Sequence, residues 1–174
     1  MTVPGYVPTS WEIDPVHTEV AFAVRHLGLA KVRGRFDKFT GQIVTAEDIL
    51  ESSVNITIDA ASLNTNDAQR DAHVRSEDFL HTDEHSEWTF ASTGIRADGD
   101  DYIITGDLTI HGVTKQVDLN AELGGFADGP TGAPTIGVSA TTTLDRRDFG
   151  ISGAQGALGN KITIELEVEA TRQA

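Results

Sequence analysis

Hydrophobic and polar residues alternate with a period of two along nearly the whole chain, the pattern of strands that bury one face. Val20, Phe22 and Val24 alternate with Glu19, Ala21, Ala23 and Arg25, and Val32, Gly34 and Phe36 with Lys31, Arg33, Arg35 and Asp37, which predicts a hairpin turning near Gly28. Further strands are predicted through Phe39, Gly41 and Ile43, through Val54, Ile56 and Ile58, and through Trp88, Phe90 and Ser92. The Asp98-Gly99-Asp100 turn leads to Tyr102, Ile104, Gly106, Leu108 and Ile110, and His111-Gly112-Val113-Thr114 turns again before Val117, Leu119, Ala121 and Leu123. Two more strands carry Ile136, Val138, Ala140 and Thr142, then Ile162, Ile164, Leu166 and Val168. One helix is expected, Asn66 to Ser76, capped by Asn66 or Thr65 and followed by Phe79 and Leu80 as an apolar anchor. The glycine-rich stretches 124–134 and 150–160 are expected to be loops.

About eight strands with one apolar face each must pack as two sheets or close on themselves, because a single helix cannot cover an open sheet. Runs of eight to ten residues exceed the usual strand length, and nine residues rise roughly 30 Å. The expectation is therefore an all-β fold, an extended antiparallel β-barrel with a short helical insertion that plugs or lids one end. Large inward residues (Phe22, Phe36, Ile104, Leu108) mixed with small ones (Gly34, Gly41, Gly106, Ala140) leave open whether those glycines mark bulges or an interior with room for a small ligand.

At 174 residues the chain is one domain, residues 1–174, with 1–10 expected as an extended N-terminal arm. Asp and Glu number 27 against 13 Lys and Arg, a net charge of -14, which disfavours nucleic acid and anionic bilayers as partners. The absence of cysteine excludes disulfides, thiolate metal sites and cysteine nucleophiles. No apolar run reaches the 18 or more residues of a membrane span and no secretory signal precedes Ser10, so a cytoplasmic protein without stable membrane insertion is expected.

Candidate chemistry is sparse. His81 and His85 lie four apart with two carboxylates between them, a spacing that on a helix would align both imidazoles for a metal; the run into the Trp88 strand instead favours solvated polar residues. His17, His26, His73 and His111 are scattered, with no pair at ligand spacing. Neither a G-x-S-x-G elbow nor a phosphate-binding glycine pattern occurs around Gly150–Gly159. Lys31, Arg33 and Arg35 form a basic stripe expected to pair with Glu165 and Glu167, and Arg146 and Arg147 occupy a charged turn.

Several blocks together resemble the YceI-like polyisoprenoid-binding proteins. They are Trp11 to His26 with Val32-Arg-Gly34-Arg-Phe36, Arg70 to Phe79, Leu108 to Lys115, and Arg146-Arg-Asp-Phe149-Gly150-Ile151, in order across nearly the whole chain. The chain departs from that pattern at Thr18, where serine is common, and at Glu84 to Glu87, where a proline is usual. The resemblance implies a lipocalin-like barrel that binds, carries or stores a long isoprenoid chain, a polyprenyl phosphate or a quinone tail, without catalysis or a cofactor, and a possible homodimer. Alternation and these blocks nominate Phe22, Val24, Phe36, Ile56, Phe90, Ile104, Leu108 and Val138 as cavity residues, with Phe79, Phe149 and Ile151 near the openings. His17, Arg146 and Arg147 are head-group candidates. The competing readings are a metal-dependent hydrolase using His81 and His85, and a filled barrel serving as a protein-interaction module.

Overall fold

The computed structural model describes residues 3–173 as one sheet of eleven strands, eight of which close into an antiparallel barrel. In ring order these are β1 (Thr9–Ile13), β4 (Phe39–Thr45), β5 (Ser53–Asp59), β7 (Glu87–Asp98), β8 (Asp101–Ile110), β9 (Val113–Asp128), β10 (Pro134–Asp145) and β11 (Leu158–Arg172), with β11 returning to β1. The remaining strands extend this ring at one end. β2 (Glu19–His26) continues the line of β1 along β11, β3 (Ala30–Phe36) continues β4, and the two-residue β6 (Leu63–Asn64) is the last pairing partner of β3.

The ring does not stay closed to that end. The β5–β7 ladder stops at Asp59 and Glu87, and the β9–β10 ladder stops at Thr141 and Asn120, so two gaps open in the wall. Helix α1 (Ala68–Arg75) and the connection to β7 lie over the first gap, and the short helical turn Arg146–Phe149 lies at the second.

The small helix forms by capping rather than amphipathicity. Asp67 accepts from the Arg70 N–H at 2.9 Å, so the cap lies one residue beyond the expected Asn66, which adopts a left-handed conformation (φ 66°). Thr65, the other expected cap, instead gives both its N–H and its hydroxyl to the buried Asp71 carboxylate, at 2.9 and 2.5 Å. The glycine-rich loops are also shorter than expected. β9 runs on to Asp128 through a bulge at Gly124, which leaves a tight turn at Gly129–Ala133, and β11 begins at Leu158.

Of the expected N-terminal arm, residues 6–10 are joined to the barrel. Thr9 and Ser10 are strand residues paired with Thr45 and Val44, Val7 packs on the core, and the Tyr6 hydroxyl donates to the Ala46 carbonyl; Met1 and Thr2 lie outside the described residues. Trp11 is wholly buried, and its indole N–H donates to the Thr45 hydroxyl at 2.9 Å. That hydroxyl donates in turn to the Val7 carbonyl at 2.7 Å and accepts from the Thr9 N–H at 3.1 Å.

Two interior glycines hold aromatic rings against the wall. A β-carbon at Gly34 would overlap the Phe22 ring, and one at Gly106 would overlap the Phe90 ring and lie 2.6 Å from the Ala91 carbonyl oxygen. Each glycine therefore supplies the space its partner ring occupies, a small-large pairing that keeps the wall smooth.

Two outcomes test this packing. Gly106→Ala meets backbone as well as a ring, so it is expected to destabilise by about 1–3 kcal/mol, whereas Gly34→Ala displaces only the Phe22 ring and costs less; chemical denaturation of both variants reads the order. Thr45→Val leaves the buried Trp11 N–H without an acceptor and is expected to lose about 1–3 kcal/mol in the same assay.

Candidate functional site

The interior contains two apolar cavities, one toward each end of the barrel. The larger, about 240 Å³, is lined from β2 and β3 by Phe22, Val24, His26, Val32 and Phe36, and from the covering segments by Val74, Phe79, Leu80, Phe149 and Ile151. The smaller, about 90 Å³, is lined by Ile13, Ile43, Ile56, Ile104, Leu119, Leu123, Ile136, Val138 and Ala140, among others, with Tyr6 and Phe126 at its end.

Strand register shows what separates them. Along β8 the inward positions pass from Ile104, in the smaller cavity, through Gly106 and Leu108 to Ile110, in the larger. Along β7 they pass from Ile95 through Phe90 to Trp88, and along β11 from Leu166 directly to Ile164. The partition is therefore local, built around Phe90 on its glycine and Leu108 beside it in register. Phe36 and Trp88, with ring centroids 4.7 Å apart, bound it on the larger side.

Of the residues nominated from the sequence, Ile56, Ile104 and Val138 line the smaller cavity, and Phe22, Val24, Phe36, Phe79, Phe149 and Ile151 the larger. Phe90 and Leu108 line neither and stand in the partition between them. A period-two pattern shows that a residue faces inward but not whether the space in front of it is filled.

The head-group candidates separate by position. Arg146 is 3 % exposed and lines the larger cavity, where its guanidinium donates to the carbonyls of Gly159, Gly153 and Leu158 at 3.0, 2.6 and 3.2 Å. Burial lowers its pKa from the ordinary arginine value, but the group stays a cation. Arg70 of α1 lines the same cavity and binds the Thr65 hydroxyl and carbonyl at 2.8 and 2.6 Å. Neither arginine makes an ion pair among the described residues. Arg70 was absent from the sequence nomination because nothing in a capped helix tells which surface residue turns toward a cavity.

His17 and Arg147 lie outside both cavities. His17 pairs with Asp14 at 2.7 Å, a hydrogen bond that raises its pKa and lowers that of the carboxyl. Arg147 forms a two-point pair with Asp145, which brings that carboxyl down to about 2. The basic stripe on β3 is partly neutralised, Arg33 by Glu165 at 3.9 Å and Arg35 by Asp37 at 2.9 Å.

The two histidines of the His81–His85 segment line neither cavity, yet they are not simply solvated. The His85 N–H donates to the His81 carbonyl at 2.9 Å, closing a single helical turn that the strand-like context concealed, and His111 comes in from the β8–β9 turn. Its sequence distance from the pair hid it. Burial is the main cause of a lowered His111 pKa, opposed by its bond to the Phe149 carbonyl.

Comparison with known proteins agrees with this architecture. The YceI-like domain profile matches residues 11–170. Protein YceI of Escherichia coli is 40 % identical over 170 residues, covering 96 % of this chain and 89 % of that one, and a UPF0312 protein of Pectobacterium atrosepticum is 40 % identical over 158 residues, covering 90 % and 82 %. Among solved structures, BcnA of Burkholderia cenocepacia superposes with a TM-score of 0.83 at 22 % identity, covering 91 % of this chain and 99 % of that one. A domain from Saccharophagus degradans, described as polyisoprenoid binding and implicated in plant cell wall breakdown, superposes with a TM-score of 0.74 at 16 % identity, covering 96 % and 100 %. A profile match across the barrel, joined to relatives at 40 % identity over nearly their whole length, shows that this chain belongs to the YceI-like family.

Proposed function

We propose that this chain is a non-catalytic binding protein that holds a long-chain isoprenoid lipid inside its barrel. The observation that carries the reading is a pair of apolar cavities along the interior, with two cationic guanidinium groups lining one end that lack a carboxylate partner among the described residues. The polyisoprenoid-binding description of the Saccharophagus degradans domain on the same fold supports it.

The energetics favour a chain over a compact ligand. Each methylene moved from water into the interior contributes about 0.8 kcal/mol, so affinity grows with length while few polar contacts are required. A prenyl tail enters at the end covered by α1, beside the β2–β3 hairpin tip where Leu27 and Leu29 are 56 % and 78 % exposed. Its head group remains near Arg70 and Arg146. An anionic phosphate there would pair with guanidinium groups that have no carboxylate partner among the described residues, which favours a polyprenyl phosphate over a neutral quinone.

Neither cavity alone accommodates a long chain, so binding requires the partition to open. Phe90 and Leu108 are the side chains that must rotate, and the bound state is one continuous tube. The filled-barrel alternative is disfavoured by the presence of both cavities.

Two measurements test the reading. Val32→Trp and Ala140→Phe place bulk in the larger and the smaller cavity respectively; binding of a long prenyl phosphate is expected to fall with either variant, while a short prenyl phosphate loses affinity only with Val32→Trp. Equal long-chain affinity across both variants and the parent, by native mass spectrometry and fluorescence displacement, would remove the tube. Arg70→Gln is expected to weaken a prenyl phosphate by about tenfold or more and to leave the matching prenyl alcohol unchanged.

A further inference from the structure

At the end of the barrel where the sheet opens, the imidazoles of His81, His85 and His111 converge on the outer side of the cavity wall. One ring nitrogen from each lies within 4.8 Å of the others. The His81 and His85 ring centroids are 5.8 Å apart and nearly perpendicular, and those of His85 and His111 are 4.6 Å apart. Tetrahedral zinc with Zn–N bonds of ~2.0–2.1 Å sets its nitrogens about 3.3 Å apart, so modest side-chain rotation closes the set.

The surrounding bonds prepare the ligands. The carbonyl of Phe149 can only accept, so the 3.1 Å contact to His111 Nδ1 requires a proton on that nitrogen and leaves Nε2 with a free lone pair. A backbone partner on one ring nitrogen is the usual support for a metal-binding imidazole. The turn closed by the His85 N–H to the His81 carbonyl brings the two rings together, with centroids 5.8 Å apart.

Backbone geometry explains how the rings are brought together. His81 and His111 both adopt left-handed conformations, φ 49° and 56°, which side-chain-bearing residues rarely do. His111 and Gly112 form the two-residue turn between Ile110 and Val113, and Gly112 lets the backbone approach the His85 ring so closely that a β-carbon there would meet Cε1 at 3.0 Å. Both turns therefore place their histidines where the three rings meet.

We infer that His81, His85 and His111 form a binding site for a borderline divalent transition ion of the zinc class. Three neutral imidazoles select such an ion over magnesium or calcium, whose ligands are oxygens. The fourth position falls to water or to Glu84, whose carboxylate lies 3.7 Å from His81 Nδ1. The site is a clasp. His81 follows Leu80, His111 follows Ile110, and Phe149 is held through its carbonyl, so one ion would tie together the cover over the first gap, the β8–β9 turn and the short helical turn at the second. The site is independent of the lipid reading, since none of its ligands lines a cavity.

The test titrates the full chain, free of any affinity tag and stripped of metal, with Zn²⁺ against a chromophoric chelator and with Co²⁺ in the visible. One ion per chain is expected, with a Co²⁺ spectrum of four-coordinate type and a raised thermal midpoint. The double variant His81→Gln/His85→Gln is expected to lose affinity on the order of 100-fold or more, while His17→Gln, remote from the cluster, keeps it. Absence of stoichiometric binding to the parent, or equal affinity in the double variant, overturns the site. Should the double variant fail to fold, Co²⁺-induced broadening of imidazole resonances in the parent decides the matter: broadening centred on His81, His85 and His111 supports the assignment, and broadening elsewhere overturns it.

Discussion

Closure of the barrel depends on a five-residue strand. β1 is hydrogen-bonded on one side to β4 and on the other to β11, and without it the sheet would have two free edges. Its position is fixed by Trp11, whose buried ring packs in the core while its N–H is satisfied by Thr45, a residue of the neighbouring strand that also gathers the chain at Val7 and Thr9. One hydroxyl thus joins the N-terminal segment to the wall, and the closed ring around the apolar interior depends on that junction.

Inside the closed ring, volume rather than polarity decides what is empty. Every strand presents an apolar face, but glycine opposite a ring fills space, as at Gly34 with Phe22 and Gly106 with Phe90, whereas Val138 and Ala140 on β10 leave space in front of them. The same economy explains the partition. Phe90 lies flat because Gly106 has no side chain, and the ring that smooths one wall also divides the interior.

Capping signals carried the single helix, and strand length with the family resemblance carried the barrel, whose closing strand β1 was not among the expected ones; alternation carried the long strands and the hairpins at Gly28 and Asp98–Asp101. It carried them because inward and outward positions differ in hydropathy at every second residue. The end of the barrel was less legible. Asp67 rather than Asn66 caps α1, a choice among adjacent cap-forming residues, whereas Arg70 reaching inward from an exposed helix and His111 joining a pair thirty positions away in sequence are products of tertiary placement that no local pattern encodes. Arg146 and Arg147 were head-group candidates alike, because adjacent residues in a charged turn look the same until one is buried by three carbonyls beside the cavity and the other is claimed by Asp145.

β11 gives the molecule two mechanical halves. Its last residues pair with β1 and its first with β2, while β10 accompanies it for most of its length. At the far side of β3, however, the sheet is prolonged only by the two register positions shared with β6. Amide protons at that margin have few cooperative neighbours, so this end can breathe as a small, separately unfolding unit while the ring around Trp11 stays shut. On the proposed lipid-binding reading, a guest would exchange through such a local opening and leave the ring intact.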